Sequence, residues 1–370
     1  MELYYFNMGT SDKEATKALW NLCFTESKAF TKLYFAERYS DCMNETIRSS
    51  KGNLISALQL IPYPMNFGGE QITTYYVSGA CTHPKYQGKG VMKQLLIQSF
   101  KKMWREDVML TTLIPAHPWL FDYYGKSGYT RIFDYSGQPM SISTDSYIPL
   151  SSTIAENEIL IYQPSMQKEV YTFFDYCMAD RDRTILHTVD DFRIILLDAE
   201  ISGGKLLVAR SGGEINGLLF VDMIKDKIVG NECLLRDNEH TLHDLFRKAS
   251  LLWGVRHSME CLRPATDTDR HPLGMARIIH AYRMLALYAA EHSDLNVRIR
   301  VEDELLLENN GCYELKEGIC RRIEDNCGDD CLNVGIPLLT RLLLGYRTTA
   351  LVPEYHVFEE YNPWMSLMLN

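Results

Sequence analysis

Between positions 84 and 92 the chain reads Pro-Lys-Tyr-Gln-Gly-Lys-Gly-Val-Met. Gly88 and Gly90 carry no Cβ, so the backbone can turn tightly there. Where such a turn opens a helix, successive N–H groups point outward unpaired, next to the positive end of the helix dipole. That arrangement accepts a pyrophosphate, and Lys89 or Lys93 can add a charge to a phosphate. A plain strand-to-helix connection uses the same glycines, so the turn alone leaves both readings open. The dinucleotide fingerprint needs three glycines at a different spacing, and the P-loop needs Gly-Lys-Ser/Thr after a longer loop; neither is met.

A cradle of this kind needs a strand before it and an amphipathic helix after it. Gln71 to Thr82 is rich in β-branched and aromatic residues and reads as a central strand. After Gly90 the period changes, and Met92, Leu95, Leu96, Phe100 and Met103 form the apolar stripe of a helix ending near Trp104. Upstream, Ser11 and Glu14 form a capping box for a first helix with Ala15, Leu19, Trp20, Cys23 and Phe24 on one face. A second helix is expected over Lys28 to Tyr39 and a strand over Leu54 to Ile61. Downstream come a strand (Val108 to Ile114), a short helix (Pro118 to Lys126) and a strand (Tyr129 to Tyr135). The unit is a mixed sheet with helices on both faces.

The polar stretch SISTDSYIPLSSTIAENE is the best linker. The middle segment repeats the order more loosely, with helices around Lys168 to Met178 and Val189 to Leu197. Strands follow at Lys205 to Arg210, Leu218 to Ile224 and Lys227 to Leu235, and then a helix over His240 to Arg256. It has no glycine turn to hold a cofactor. The last segment reads as a helix over Met275 to Ala290, a hairpin of Leu295 to Leu307 with Gly311 to Arg322, a short helix over Pro337 to Gly345, and an apolar tail. Three domains are expected: 1–140, 150–272 and 273–370.

The 370 residues, 46% hydrophobic and 23% charged, suit a globular chain that needs neither disulfides nor metal to fold. The net charge of −10 argues against nucleic acid as a partner, which wants a basic face, and is compatible with a cationic amine. No apolar run reaches the roughly 18 to 20 residues of a membrane span, and the N-terminal stretch is no secretory signal. Ten scattered cysteines suit a reducing compartment, so the cytoplasm is expected. The spacing of Cys312, Cys320, Cys327 and Cys331 lacks the paired short knuckles of zinc sites; hairpin cysteines are expected there, and no metal.

Gln87, Gly88, Lys89 and Gly90 match the Gln/Arg-x-x-Gly-x-Gly/Ala signature of the GNAT superfamily of N-acetyltransferases at its first four positions, with Met92 replacing the final small residue. Tyr124-Gly125-Lys126-Ser127-Gly128-Tyr129 matches the Tyr-x-Lys-x-Gly-Phe/Tyr run that closes the catalytic core of that family. The large residue in place of the last glycine resembles the Eis (enhanced intracellular survival) family. That resemblance spans the whole chain. It implies an α+β (mixed α/β) protein of two tandem GNAT-type domains, the second degenerate, and a sterol-carrier-like α+β C-terminal domain.

The resemblance also implies a function, the acetyl-CoA-dependent acetylation of primary amines on a small polyamine, aminoglycoside-like or peptide substrate. Ala80, Cys81 and Thr82 would pair with the pantetheine arm, and Gln87, Gly88, Lys89, Gly90, Val91, Met92 and Lys93 would hold the phosphates. Tyr124 would protonate the departing thiolate, a phenol being a donor at neutral pH; packing on the sheet is its structural alternative. The C-terminal carboxylate, on Asn370, would be the base, and the Phe24-Thr25-Glu26 run would place Phe24 and Glu26 at a cationic substrate. His83 and His117 read as structural. Cys81 would be a nucleophile only beside a base, and none is identifiable, so direct transfer is expected. The resemblance implies a homo-oligomer, a hexamer. The alternative function is a non-catalytic acyl-CoA or lipid-binding protein.

Overall fold

Strand β3 (Glu70–Thr82) is the spine of the N-terminal part of the chain, and the elements around it follow from how its two sides are covered. Before it lie helices α1 (Lys13–Cys23) and α2 (Lys28–Leu33) and strands β1 (Asn44–Arg48) and β2 (Leu54–Phe67). After it come α3 (Val91–Arg105), β4 (Leu110–Leu113), α4 (Trp119–Gly125) and β5 (Thr130–Met140). The middle of the chain contains β6 (Glu158–Ile161), α5 (Gln167–Ala179), α6 (Val189–Ser202), β7 (Lys205–Ser211), β8 (Glu214–Ile224), β9 (Lys227–Leu235), α7 (Glu239–Trp253) and β10 (Met259–Pro264). The last part contains β11 (His271–Ile278), α8 (Ala281–Glu291), β12 (Val297–Glu302), β13 (Gly311–Lys316), β14 (Ile319–Ile323), β15 (Leu332–Gly335) and α9 (Ile336–Leu343). This computed structural model describes residues 12–141, 157–236, 239–255, 257–323, 328 and 331–369.

The chain is mixed α/β and divides into two compact units, residues 1–133 with 273–363 and residues 134–272 with 364–369. In the first unit β1, β2 and β3 are antiparallel neighbours, β4 runs parallel to β3, and β11 adds antiparallel to β4. The pairing of Met275 with Leu113 and of Ile278 with Leu110 places a strand where apolar spacing predicts the start of a helix. The helix, α8, starts only at Ala281. A separate four-stranded sheet, β14-β13-β12-β15, completes this unit. Gly311 to Arg322, expected as one hairpin arm, instead holds two strands of its own, β13 and β14, turned over Glu317 and Gly318, both at positive φ.

The apolar stripe of α3 forms as the spacing predicts: Leu95, Leu96, Phe100 and Met103 are wholly buried between the helix and the sheet. The first helix begins at Lys13 with Asp12 at the N-cap position and no side-chain cap, because the Asp12 carboxylate is taken by Arg48. Ser11 of the expected capping box lies outside the described residues. The second expected helix is α only to Leu33 and widens into a π-helical turn over Tyr34–Arg38. Cys312 is disulfide-bonded, so one of the cysteines expected as a free thiol is not. Among the described residues eight others are free.

In the second unit, β10, β9, β8, β7 and β6 are successive neighbours, and the Tyr135–Met140 part of β5 pairs with β10. Helix α6 carries a full capping box, Thr188 with Asp191, and stops at Gly203 in the left-handed conformation. The tail returns to this unit. Trp364 makes a parallel bridge with Thr184, and the carbonyl of Trp364 accepts from Ile185 N at 3.0 Å. Glu232, 1% exposed, accepts from Trp364 Nε1 and Ser366 Oγ, each at 2.6 Å, and from Arg181 Nη1 at 3.0 Å. No helix among the described residues is long and apolar enough to cross a membrane.

A buried carboxylate is tolerable only while its donors stay in place, and the tail supplies two of them. Glu232→Ala should therefore cost on the order of 3 kcal/mol and free residues 364–369. Carboxypeptidase trimming of the folded variant, read by intact mass, checks this; a tail that stays protected would show that the bridge to Thr184 holds it unaided.

Candidate active site

The cradle follows from local backbone geometry. Strand β3 is bulged: Ala57 faces Cys81 but Gln59 faces Ser78, so Gly79 and Ala80 share one partner position. Gly79 has φ +59, and a Cβ there would lie 2.2 Å from Trp20 Cζ3, so the close approach of α1 requires glycine. Beyond the strand, Gly88 and Gly90 have φ +73 and +76, and Gly90 is the left-handed N-cap of α3. The first intrahelical bond runs from Gln94 N to Gly90 O at 3.1 Å, leaving the N–H groups of Val91, Met92 and Lys93 without helical acceptors. A Cβ on Gly88 or Gly90 would meet nothing within 4 Å, so the turn beside these donors is open on its side-chain face. A pyrophosphate fits such donors beside an open turn.

The side chains of the run also make contacts within the turn. Gln87 Nε2 donates to Thr82 O at 3.0 Å and pins the turn to the end of β3. Lys89 Nζ donates to Lys85 O at 2.8 Å and lies 5.4 Å above the Tyr86 ring. Val91 and Met92 are buried in the main core, so only their N–H groups face the cradle, whereas Lys93 is exposed. At the strand end, Ser56 Oγ donates to Cys81 O at 3.0 Å and lies 2.9 Å from Thr82 Oγ1. Ala80 is half-buried in the bulge. His83 caps a 3₁₀ turn by accepting from Lys85 N at 3.2 Å, and His117 is exposed; neither is set up as a base.

Tyr124 sits near the C-terminal end of α4 in the same core cluster as Val91 and Met92. Its ring packs edge-on against Tyr123 (5.3 Å) and Tyr129 (5.9 Å). Its hydroxyl has no hydrogen-bond partner among the described residues. Burial pushes its phenol well above the ordinary tyrosine range, with Tyr123 and Cys81 near enough to add to the rise. It is therefore protonated at neutral pH, as a proton donor must be. The Cys81 thiol is raised too, by its hydrogen bond to Cys23 and then by burial, so it is not a thiolate nucleophile.

Phe24 caps the end of α1 and packs against the cluster of Leu19, Ala57 and Cys81. Glu26 lies exposed on the loop that follows, with no ion pair among the described residues. Asn370 lies outside the described residues. The geometry thus gathers the cradle, Cys81, Phe24 and Tyr124 around one end of β3. Sequence reasoning missed the bulge and Ser56; the lone Gly79 inside a β-rich run is the signal for the first. Among the described residues no group of His, Cys, Asp or Glu is arranged to hold a metal ion.

The family model described as an acetyltransferase (GNAT) domain matches residues 5–132, and the one described as a sterol carrier protein domain matches residues 276–354. The chain thus contains a GNAT acetyltransferase domain followed by a sterol carrier protein domain. No curated protein sequence matches it. Its fold is similar to that of a GCN5-related N-acetyltransferase from Anabaena variabilis (TM-score 0.77, 13% identity, 98% of this chain and 99% of that one). A GCN5-related N-acetyltransferase from Kribbella flavida gives a TM-score of 0.76 at 13% identity, covering 100% of this chain and 98% of that one. Eis1 from Mycobacterium abscessus gives 0.67 at 13% identity, covering 94% and 90%. The GNAT match contains the bulge, the cradle and Tyr124; β11 and its pairing with β4 lie beyond it, at the edge of the sterol carrier match.

Because burial raises its phenol, Tyr124 should ionise only above the ordinary value of about 10. In a spectrophotometric titration, Tyr124→Phe should leave the tyrosinate absorbance gained up to pH ~10 unchanged. A loss of about half a tyrosinate equivalent at that pH would show the phenol to be ordinary.

Proposed function

We propose that this GNAT protein transfers an acetyl group from acetyl-CoA directly to a primary amine, with Tyr124 as the general acid. One observation carries the reading: a row of unpaired N–H groups, from Val91 to Lys93, starts a helix whose Val91 and Met92 share one core cluster with a buried, protonated phenol that has no hydrogen-bond partner among the described residues. These N–H groups and those of Gly88 to Gly90 would hold the phosphates, and the backbone of Ala80, Cys81 and Thr82 the pantetheine arm.

Amide formation needs a neutral amine, a donor for the oxyanion and a proton for the departing thiolate. The bulge turns the backbone of Gly79 and Ala80 out of the β2–β3 ladder, where an N–H can reach a developing oxyanion. Tyr124 gives its proton to the sulfur that leaves. The base is assigned by resemblance to the carboxylate of Asn370, and Phe24 and Glu26 to the amine side, where an exposed carboxylate suits a cation. A polyamine, an aminoglycoside-like compound or a lysine-bearing peptide all offer such an amine. Homo-oligomerisation and a cytoplasmic location follow from the same resemblance and from the free cysteines, though the Cys312 disulfide runs against a strongly reducing setting.

The test is thiol release from acetyl-CoA against polyamines, aminoglycosides and lysine peptides. Tyr124→Phe should lower kcat by roughly 10²–10⁴. Deleting Asn370 alone, which spares buried Trp364, Met365 and Leu369, should lower kcat without unfolding the tail. Tight acetyl-CoA binding with no turnover on any amine would favour the acyl-CoA-binding alternative.

A further inference from the structure

Tyr124 has no hydrogen bond to fix its hydroxyl, so its direction depends on what it packs against. The turn after it is hung from its own carbonyl, which accepts from Ser127 N at 2.8 Å and Tyr129 N at 3.4 Å. Tyr129, 2% exposed, lies against the Tyr124 ring on one side and Phe100 on the other (5.8 Å), its hydroxyl 3.1 Å from Thr111 Oγ1. Beneath this turn lies a charge from far along the chain. Arg277, on β11 and 1% exposed, stacks its guanidinium 4.6 Å from the Phe100 centroid. A Cβ on Gly128 would fall 2.0 Å from Arg277 Nη1, so the guanidinium rests directly on the backbone of the turn. Its Nη2 is held by both carboxylate oxygens of Asp303, at 2.9 and 2.8 Å. Asp303 is itself fixed by the N–H groups of Leu305 and Leu306 and by Asn309 Nδ2.

Two buried charges are costly to desolvate, and an apolar pair would fill the space with less loss. The pair's geometry offers a use for them: a rigid, charge-locked wedge under the one turn that sets the Tyr124 ring. We propose that Arg277, held by Asp303, is a positioning residue for Tyr124, so that the segment after the middle unit aims the acid of the catalytic domain. The proposal rests on Tyr124 being that acid.

The experiment is a double-mutant cycle on the full chain, with acetyl-CoA and the best amine of the panel as substrates. Asp303→Asn, nearly isosteric, is combined with Tyr124→Phe; Arg277→Lys, which keeps the charge but loses the two-point hold, is the second arm in case the first fails to fold. Each should lower kcat about tenfold while the KM for acetyl-CoA stays within about twofold. In the Tyr124→Phe background each should change kcat less than about twofold, since there is no longer an acid to aim. Equal losses in both backgrounds, or a raised KM with kcat intact, would overturn the positioning role and leave the acid standing. Wild-type kcat in Tyr124→Phe alone would overturn the acid and the positioning role with it.

Discussion

A backbone N–H removed from water must find an acceptor, and one short stretch of this chain withholds it. From the bulge at Gly79 to the first turn of α3, the backbone leaves the ladder, turns through two left-handed glycines and enters a helix whose first three donors are unmet. Everything nearby holds that exposed stretch open. Ser56 and Gln87 take up the carbonyls of Cys81 and Thr82, and Val91 and Met92 anchor the helix start in the core. The chemistry proposed for the protein is a use of donors that the fold has deliberately not paired.

The same stretch was the most legible in the sequence, because its causes are local. Glycine spacing, the change of period after Gly90 and the apolar stripe to Met103 are all properties of neighbouring residues, and the elements form where they predict. Met275 to Ile278 read differently for a physical reason. Their apolar spacing continues that of the following helix, and only pairing with β4 turns them into a strand, a preference set by tertiary contact rather than by the residues themselves. Short strands such as β1 and β15 were likewise invisible, being made by their neighbours.

At the candidate site, legibility divided along the same line. Tyr124 and the cradle carry motifs, and both sit at the end of β3. The side chains of Gln87 and Lys89 turned inward to their own loop, which no pattern of residue types records. The Arg277–Asp303 pair had no signal at all: an arginine and an aspartate far from the motif become partners only when the chain is folded.

The pairing of β11 with β4 also has a consequence for how the chain comes to be folded. Until Ile278 has left the ribosome, β4 presents a row of unpaired peptide groups at the rim of the catalytic sheet, and that rim is a template for wrong partners. A contact spanning so much intervening sequence closes late and slowly. The acetyltransferase domain, compact as its motif match looks, is therefore unfinished during most of synthesis, and the segment that finishes it is made only after the whole middle unit.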